Sequence, residues 1–274
     1  MDMDLLKSSG FVSVEYPLRL RALVLNAMES WKAFCELPLE TKQKLSGGDR
    51  VKDFGYMLRS DSGPRADSKE QFHAVRENFP LLLPKAKEIN DSRATEYIEA
   101  IDALIVAMRP MVQNFASRVE EHFGLIGFEN DVMKCQDSWT FRYLRYPPGA
   151  RPMLANAHAD RGGFTFHLGE TQEGGEFFDV KKYEWRSWPL SDTQTIIFPS
   201  MNLQYRSRGR LKALWHRVVP NEKSVEYGRY SMVAFIDIDS SHHIDGSRFR
   251  MQEFEPGFNY GLSFEEFAKY FVAT

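Results

Sequence analysis

His158 and Asp160, one residue apart, and His216 far downstream are the side chains in this chain best suited to hold a metal ion. Two imidazoles and one carboxylate fit one face of an octahedral Fe(II) and leave positions open for a co-substrate and oxygen. The near pair reads as part of a strand, where residues i and i+2 point to the same side and both can reach one ion. The third ligand must then arrive from another strand. A motif this short means little outside its structural context, and that context lies further along the chain.

It is supplied by the run from Gly228 to Phe235, whose alternating apolar, β-branched and aromatic residues read as a strand. Arg229 and Ser231 therefore share a face, as His158 and Asp160 do. A guanidinium grips a carboxylate through two charge-assisted hydrogen bonds, and a nearby hydroxyl adds another. A metal triad with an Arg/Ser clamp suits a dicarboxylate that chelates iron at one end and is held at the other. 2-Oxoglutarate fits that description.

Placing these groups requires a β-rich half. From about Ser138 short β-like runs alternate with turn residues, among them 139–146, 163–168, 176–180, 195–198 and 230–238. Many short strands with Gly/Pro punctuation predict a jelly roll or barrel. The first 125 or so residues read as mainly helical. A strand at Phe11–Val14 precedes a helix over Leu18–Cys35, which ends before Leu37-Pro38. A second, longer helix starts after Asn90-Asp91-Ser92 and runs toward Gly124, and Pro110 should kink or divide it. Gly47 to Pro80 reads as a long polar loop, and Ser263 and Glu266 make a capping box for a last helix ending near Phe271. The two halves, 1–125 and 126–274, are expected to share one core.

The 274 residues are 43% hydrophobic and 27% charged, with a net charge of -3, which argues against a polyanion-binding surface and so against nucleic acid as a partner. The acidic start lacks the basic flank of a signal peptide, and no apolar run approaches a membrane span. Two cysteines, Cys35 and Cys135, make a disulfide framework improbable and a cytoplasmic setting natural. Both read as packing residues. Nothing in the sequence sets an oligomeric state.

Several stretches together resemble the isopenicillin N synthase-like branch of the Fe(II)/2-oxoglutarate dioxygenases. They are Gly10 to Val14, Phe34-Cys-Glu-Leu-Pro-Leu-Glu-Thr-Lys42, Gly55-Tyr56, Lys69-Glu-Gln-Phe72, Leu144-Arg-Tyr-Pro-Pro148, His158 to Phe166, Trp215 to Val218 and Arg229-Tyr-Ser231. The resemblance covers almost the whole chain. It departs from the family at Ala159, where threonine is usual, at Ser200-Met201, at Ser207-Arg-Gly209 and at Ala213.

The resemblance implies a mainly β fold with flanking helices: a double-stranded β-helix (jelly roll, cupin-like) core, 126–274, carrying a helical N-terminal part, 1–125. It implies Fe(II) held by His158, Asp160 and His216, the distal carboxylate of 2-oxoglutarate held by Arg229 and Ser231 with the Tyr146 hydroxyl, and O2 as oxidant. The expected activity is hydroxylation, desaturation or cyclisation of a small molecule of amino-acid-derived or secondary-metabolite type, releasing succinate and CO2. Two rivals stand beside it: an iron oxidase of the same family that needs no 2-oxoglutarate, and a non-catalytic metal-binding relative. Phe164, Phe166, Phe235 and Phe258 are candidate pocket walls. Arg59, Arg65 and the C-terminal segment are candidates to close over an anionic or amino-acid-like ligand. His167 reads as structural or exposed, His73 and His122 as surface groups, and His242-His243 as a polar turn.

Overall fold

The computed structural model describes residues 1–47, 54–59, 68–189 and 191–239. The expected last helix, His242-His243, Arg65 and Phe258 lie outside the described residues.

Eleven strands are present among these residues: β1 (Val12–Glu15), β2 (Gly55–Arg59), β3 (Lys69–Val75), β4 (Thr140–Tyr146), β5 (Ala155–His158), β6 (Phe164–Glu170), β7 (Gly175–Asp179), β8 (Glu184–Ser187), β9 (Gln194–Pro199), β10 (His216–Val218) and β11 (Arg229–Ile236). They form two antiparallel sheets, a large one in the order β1-β9-β6-β11-β4-β3-β2 and a small one in the order β5-β10-β7-β8. This is the jelly-roll core with flanking helices that the strand pattern predicts. No helix among the described residues is long and apolar enough to cross a membrane.

Helices α1 (Met3–Ser9), α2 (Leu18–Cys35), α3 (Leu39–Gln43), α4 (Phe79–Glu88), α5 (Ser92–Phe123) and α6 (Phe128–Lys134) surround the large sheet, and α7 (Met201–Arg206) and α8 (Glu222–Tyr227) sit in loops of the β half. Apolar residues of α2 at helical spacing (Leu20, Val24, Ala27, Trp31, Phe34) are buried against α5 and the sheet. Trp31 and Tyr97 pack at a tilt of 32° with ring centroids 5.4 Å apart, and Tyr97 meets Tyr143 of β4 edge-on at 5.4 Å. Trp31 Nε1 also donates to the Leu144 carbonyl at 3.1 Å, which ties α2 to β4.

Helix α5 starts where expected: the Asp91 side chain accepts from the Arg93 amide, and Gly124 closes the end in the left-handed region. It runs past Pro110 without a break, so of the expected kink or division the division does not occur. The ring costs the hydrogen bond to the residue four back, Val106. That residue is on the exposed face, where water can take the freed carbonyl.

The segment expected to be a loop, Gly47 to Pro80, instead contributes the hairpin of β2 and β3 and the start of α4. The polar run Lys69-Glu70-Gln71 hides a strand because its charges are buried in pairs. Glu70 faces the helices, where its carboxylate accepts from Lys42 of α3, from Tyr56 at 2.7 Å and from Arg145 of β4. Burial alone would push the Glu70 carboxyl up, but these partners outweigh it and hold it below the usual range.

Replacing Glu70 by alanine strands Lys42, whose side chain is only 6% exposed. Breaking a buried pair in this way costs roughly 3–5 kcal/mol. Thermal unfolding of Glu70→Ala should therefore show a Tm lower by about 10 °C.

Candidate active site

His158 is the last residue of β5 and His216 the first of β10, and the two are direct partners across the antiparallel pair. Their rings lie 4.3 Å apart. Asp160 follows just beyond the end of β5, in the turn rather than within the strand as expected. Its Oδ1 is 3.6 Å from His158 Nε2 and 3.8 Å from His216 Nε2. One donor atom from each of the three lies within 4.8 Å of the others, so the group could hold a metal ion.

The donor set suits a divalent metal by its own chemistry. His158 Nδ1 is 2.7 Å from the Asn156 carbonyl and His216 Nδ1 is 3.0 Å from the Leu214 carbonyl. A carbonyl only accepts, so each Nδ1 carries the proton and each Nε2 presents its lone pair to the centre of the triad. Burial pushes His216 down to about 4 against the pull of Asp160, which keeps it in the neutral form a ligand requires. Asp160 Oδ2 accepts from Thr165 Oγ1 at 2.6 Å, leaving Oδ1 toward the histidines. Thr165 is itself 3.1 Å from Ser200 Oγ, so a buried hydroxyl pair fixes the carboxylate plane.

The facing wall of the pocket comes from the large sheet. Arg229 and Ser231 of β11 point inward, opposite Tyr146 and Leu144 of β4. All six residues expected from the sequence, His158, Asp160, His216, Arg229, Ser231 and Tyr146, line this one pocket. Gly228 turns the chain into β11 with φ +75°, and a Cβ there would come within 2.6 Å of the Tyr146 carbonyl.

Arg229 is 1% exposed and already carries partners from its own chain. Nε donates to the Gln172 carbonyl at 3.0 Å, Nη1 to Ser231 Oγ at 3.1 Å, and Nη2 to Glu170. His167 Nε2 approaches the same Glu170 oxygen at 3.2 Å. Although close enough for an ion pair, this contact is not aligned as a hydrogen bond. Burial raises the Glu170 carboxyl, but Arg229 and His167 more than reverse this and hold it below the usual range.

The presence of both Glu170 and His167 in the site follows from a bulge. Ser231 pairs with Glu170 and Val233 with His167, with a register shift between Met232 and Val233. The extra residue on β6 puts two side chains three apart in sequence on the same face, where strict alternation would separate them. His167 is thus buried and lines the pocket, which rules out the exposed alternative of the structural-or-exposed reading. His73, expected at the surface, is buried on β3. His122 is exposed and contacts Asp4 at 3.2 Å.

Of the expected aromatic walls, Phe235 lines the pocket, whereas Phe164 and Phe166 face away from it and pack on Phe115 of α5 at 4.6 and 6.2 Å. Trp188 and Phe198 are walls that sequence reasoning missed, and both rings lie beside His216, at 5.8 and 5.1 Å. Lys69 and Arg142 also line the pocket. Arg59 ends β2 at the surface.

Residues 135–238 match the family model of the 2OG-Fe(II) oxygenase superfamily. The chain is 26% identical over 213 residues to jasmonate-induced oxygenase 1 of Arabidopsis thaliana, a match that covers 72% of this chain and 50% of the relative. The chain thus spans about half the length of that relative. Among solved structures, it aligns with a putative 2OG-Fe(II) oxygenase family protein from Caulobacter crescentus at a TM-score of 0.73, with 23% identity and coverage of 97% and 90% of the two chains. It aligns with JOX2 in complex with 2OG, Fe and JA at a TM-score of 0.72, with 19% identity and coverage of 99% and 80%. These structural likenesses establish the fold.

Two outcomes follow from the geometry. Thr165→Val, which removes the hydroxyl that steadies Asp160, should weaken Fe(II) binding about 10–100-fold, measured by competition with a chelating dye. Asp237, just past the end of β11, is pushed up to about 6 by burial. Its native state therefore holds a proton that the unfolded chain releases near 4, and its contribution to stability is lost as pH rises from about 4 to 6. Asp237→Asn should stabilise the protein by about 2 kcal/mol at pH 7.5 and by close to nothing at pH 4, read from urea unfolding at the two pH values.

Proposed function

We propose that this chain is an Fe(II)- and 2-oxoglutarate-dependent oxygenase of the 2OG-Fe(II) oxygenase superfamily that hydroxylates, desaturates or cyclises a small organic molecule. The observation that carries this reading is the meeting, in one pocket, of three candidate metal-ligand atoms from the small sheet and the turn after β5 and a buried Arg/Ser/Tyr cluster from the large sheet.

In this reading His158, Asp160 and His216 hold the iron, and Arg229, Ser231 and Tyr146 hold the distal carboxylate of 2-oxoglutarate. When bound, the iron supplies a redox centre at which O2 and 2-oxoglutarate are consumed as substrate is oxidised, with succinate and CO2 as co-products. The chain's own contribution is placement. The two backbone carbonyls on the histidine Nδ1 atoms and Thr165 on Asp160 fix the ligand orientation before metal arrives. Trp188, Phe198 and Val218 wall the metal side with apolar surface that limits water. The helical part, 1–125, acts as a scaffold for the catalytic part, 126–274. This is supported by one apolar cluster containing residues of α2, α5, β4, β6 and β11.

The rest of the lining suits a substrate with an apolar body and an acidic group. Lys69 and Arg142 stand among Leu144, Val233 and Phe235 on the wall away from the small sheet. The likeness to JOX2, whose solved structure holds JA beside 2OG and Fe, supports the same class.

Anaerobic addition of Fe(II) and 2-oxoglutarate to the wild-type protein should give the visible charge-transfer band of a keto acid chelated to iron. Asp160→Ala and His216→Ala should abolish it. With substrate and O2, succinate release should match substrate oxidised one for one. Oxidation of substrate without succinate would favour the 2-oxoglutarate-independent oxidase, and absence of the band would favour the non-catalytic metal binder.

A further inference from the structure

The arginine assigned to the far carboxylate of the co-substrate is already held by a carboxylate of its own chain. Glu170 is as deeply placed as the arginine it meets: their side chains are 5% and 1% exposed. A guanidinium has five N–H donors. Arg229 spends one on Gln172, one on Ser231 and one on Glu170. One N–H remains on each terminal nitrogen, which is what a second carboxylate needs for a two-point contact.

A buried guanidinium with no counter-charge is strongly unfavourable, and at 1% exposure Arg229 has little contact with water. Before any dicarboxylate arrives, that counter-charge is Glu170. The β6 bulge delivers it, and the same bulge brings His167 Nε2 to 3.2 Å from the Glu170 oxygen that meets Arg229. Glu170 Oε1 and His167 Nε2 are both buried and lack a hydrogen-bond partner, so neither is consumed by another structural contact.

We propose that Glu170 is the positioning residue of the co-substrate clamp, an internal counter-ion that fixes the guanidinium of Arg229 so that its two remaining N–H groups meet the distal carboxylate of 2-oxoglutarate already aimed. His167 packs against Glu170 and steadies it from the side facing Trp188. This inference rests on the 2-oxoglutarate reading above. It assigns Glu170 no contact with the reacting atoms.

The test measures 2-oxoglutarate binding to the Mn(II)-loaded protein by isothermal titration calorimetry, beside the KM for 2-oxoglutarate from succinate release. Glu170→Leu removes charge and acceptor and should raise both Kd and KM about 10-fold or more, with kcat at saturating co-substrate within about threefold of wild type and Mn(II) affinity unchanged. Glu170→Gln keeps an acceptor for Nη2 but loses the charge, and its increase should fall between about threefold and tenfold. The Gln variant alone decides the matter if the Leu variant does not fold. Unchanged Kd in the folded fraction of either variant assigns Glu170 to folding only and overturns the proposal. Tighter binding makes Glu170 a competitor of the co-substrate and overturns it as well. If wild type with Mn(II) bound takes up no 2-oxoglutarate, the functional reading fails along with it, whereas wild-type binding that survives Glu170→Leu sinks the positioning role alone.

Discussion

The antiparallel pairing of β5 with β10 is the constraint on which the rest of the site depends. It sets His158 directly opposite His216, and a slip of one residue would send one ring to the far side of the sheet. The register is held by packing and not by length, since β10 has only three residues. On its other side β10 pairs with β7, where Gly175 lets the Trp188 indole approach so closely that a Cβ would overlap it at 1.7 Å. Trp188 in turn lies against His216 and Phe198. The metal geometry is therefore decided by an aromatic wedge and a missing side chain as much as by the ligands themselves.

The two sheets divide the chemistry. The small sheet and the turn after it present neutral nitrogens and one oriented carboxylate, while the large sheet presents positive charge. The large sheet can do so because its opposite face is covered by helices, whose apolar layer leaves the inward face free to carry Lys69, Arg142 and Arg229. Three of the acids on this framework are matched by donors of their own chain. Glu70 is matched by Lys42 and Arg145, Glu170 by Arg229, and Asp160 by Thr165. Each carboxylate is placed where its removal would leave a partner stranded, and for that reason each fixes a geometry as well as a charge.

How much of this could be read in the sequence depended on whether local pattern and final environment agreed. Helices α2 and α5 announced themselves because apolar spacing and caps point the same way. Strand parity put Arg229 and Ser231 on one face and the resemblance added Tyr146, and the structure sets them in one pocket with His158, His216 and Asp160, the last from the turn after β5. β3 was hidden because its buried side carries a glutamate whose partners come from α3, β2 and β4. Phe164 and Phe166 looked like pocket walls because parity gives two faces and does not say which is inward. Thr165, between them, points to the metal side. Glu170 and His167 were beyond reach for a different reason: the bulge breaks the alternation on which any parity argument rests, and nothing in the run Phe164–Glu170 marks where the extra residue falls.

A candidate metal triad at the small sheet and the Arg229/Ser231 pair on the large one would give the pocket a mechanical side. The small sheet meets the large one through a modest apolar cluster that includes Phe177, Trp188, Ile196 and Phe198. A dicarboxylate chelated at the triad and gripped by Arg229 would be a strut between the two layers, stiffening the open edge of the sandwich before substrate is admitted. In the proposed reaction, turnover would consume this strut. Succinate is one carbon shorter than 2-oxoglutarate, having lost as CO2 the carboxylate that forms the chelate together with the keto oxygen, so it would not span the same gap with the same hold. In the proposed reaction, each turnover would therefore remove the one ligand that bridges the two sheets.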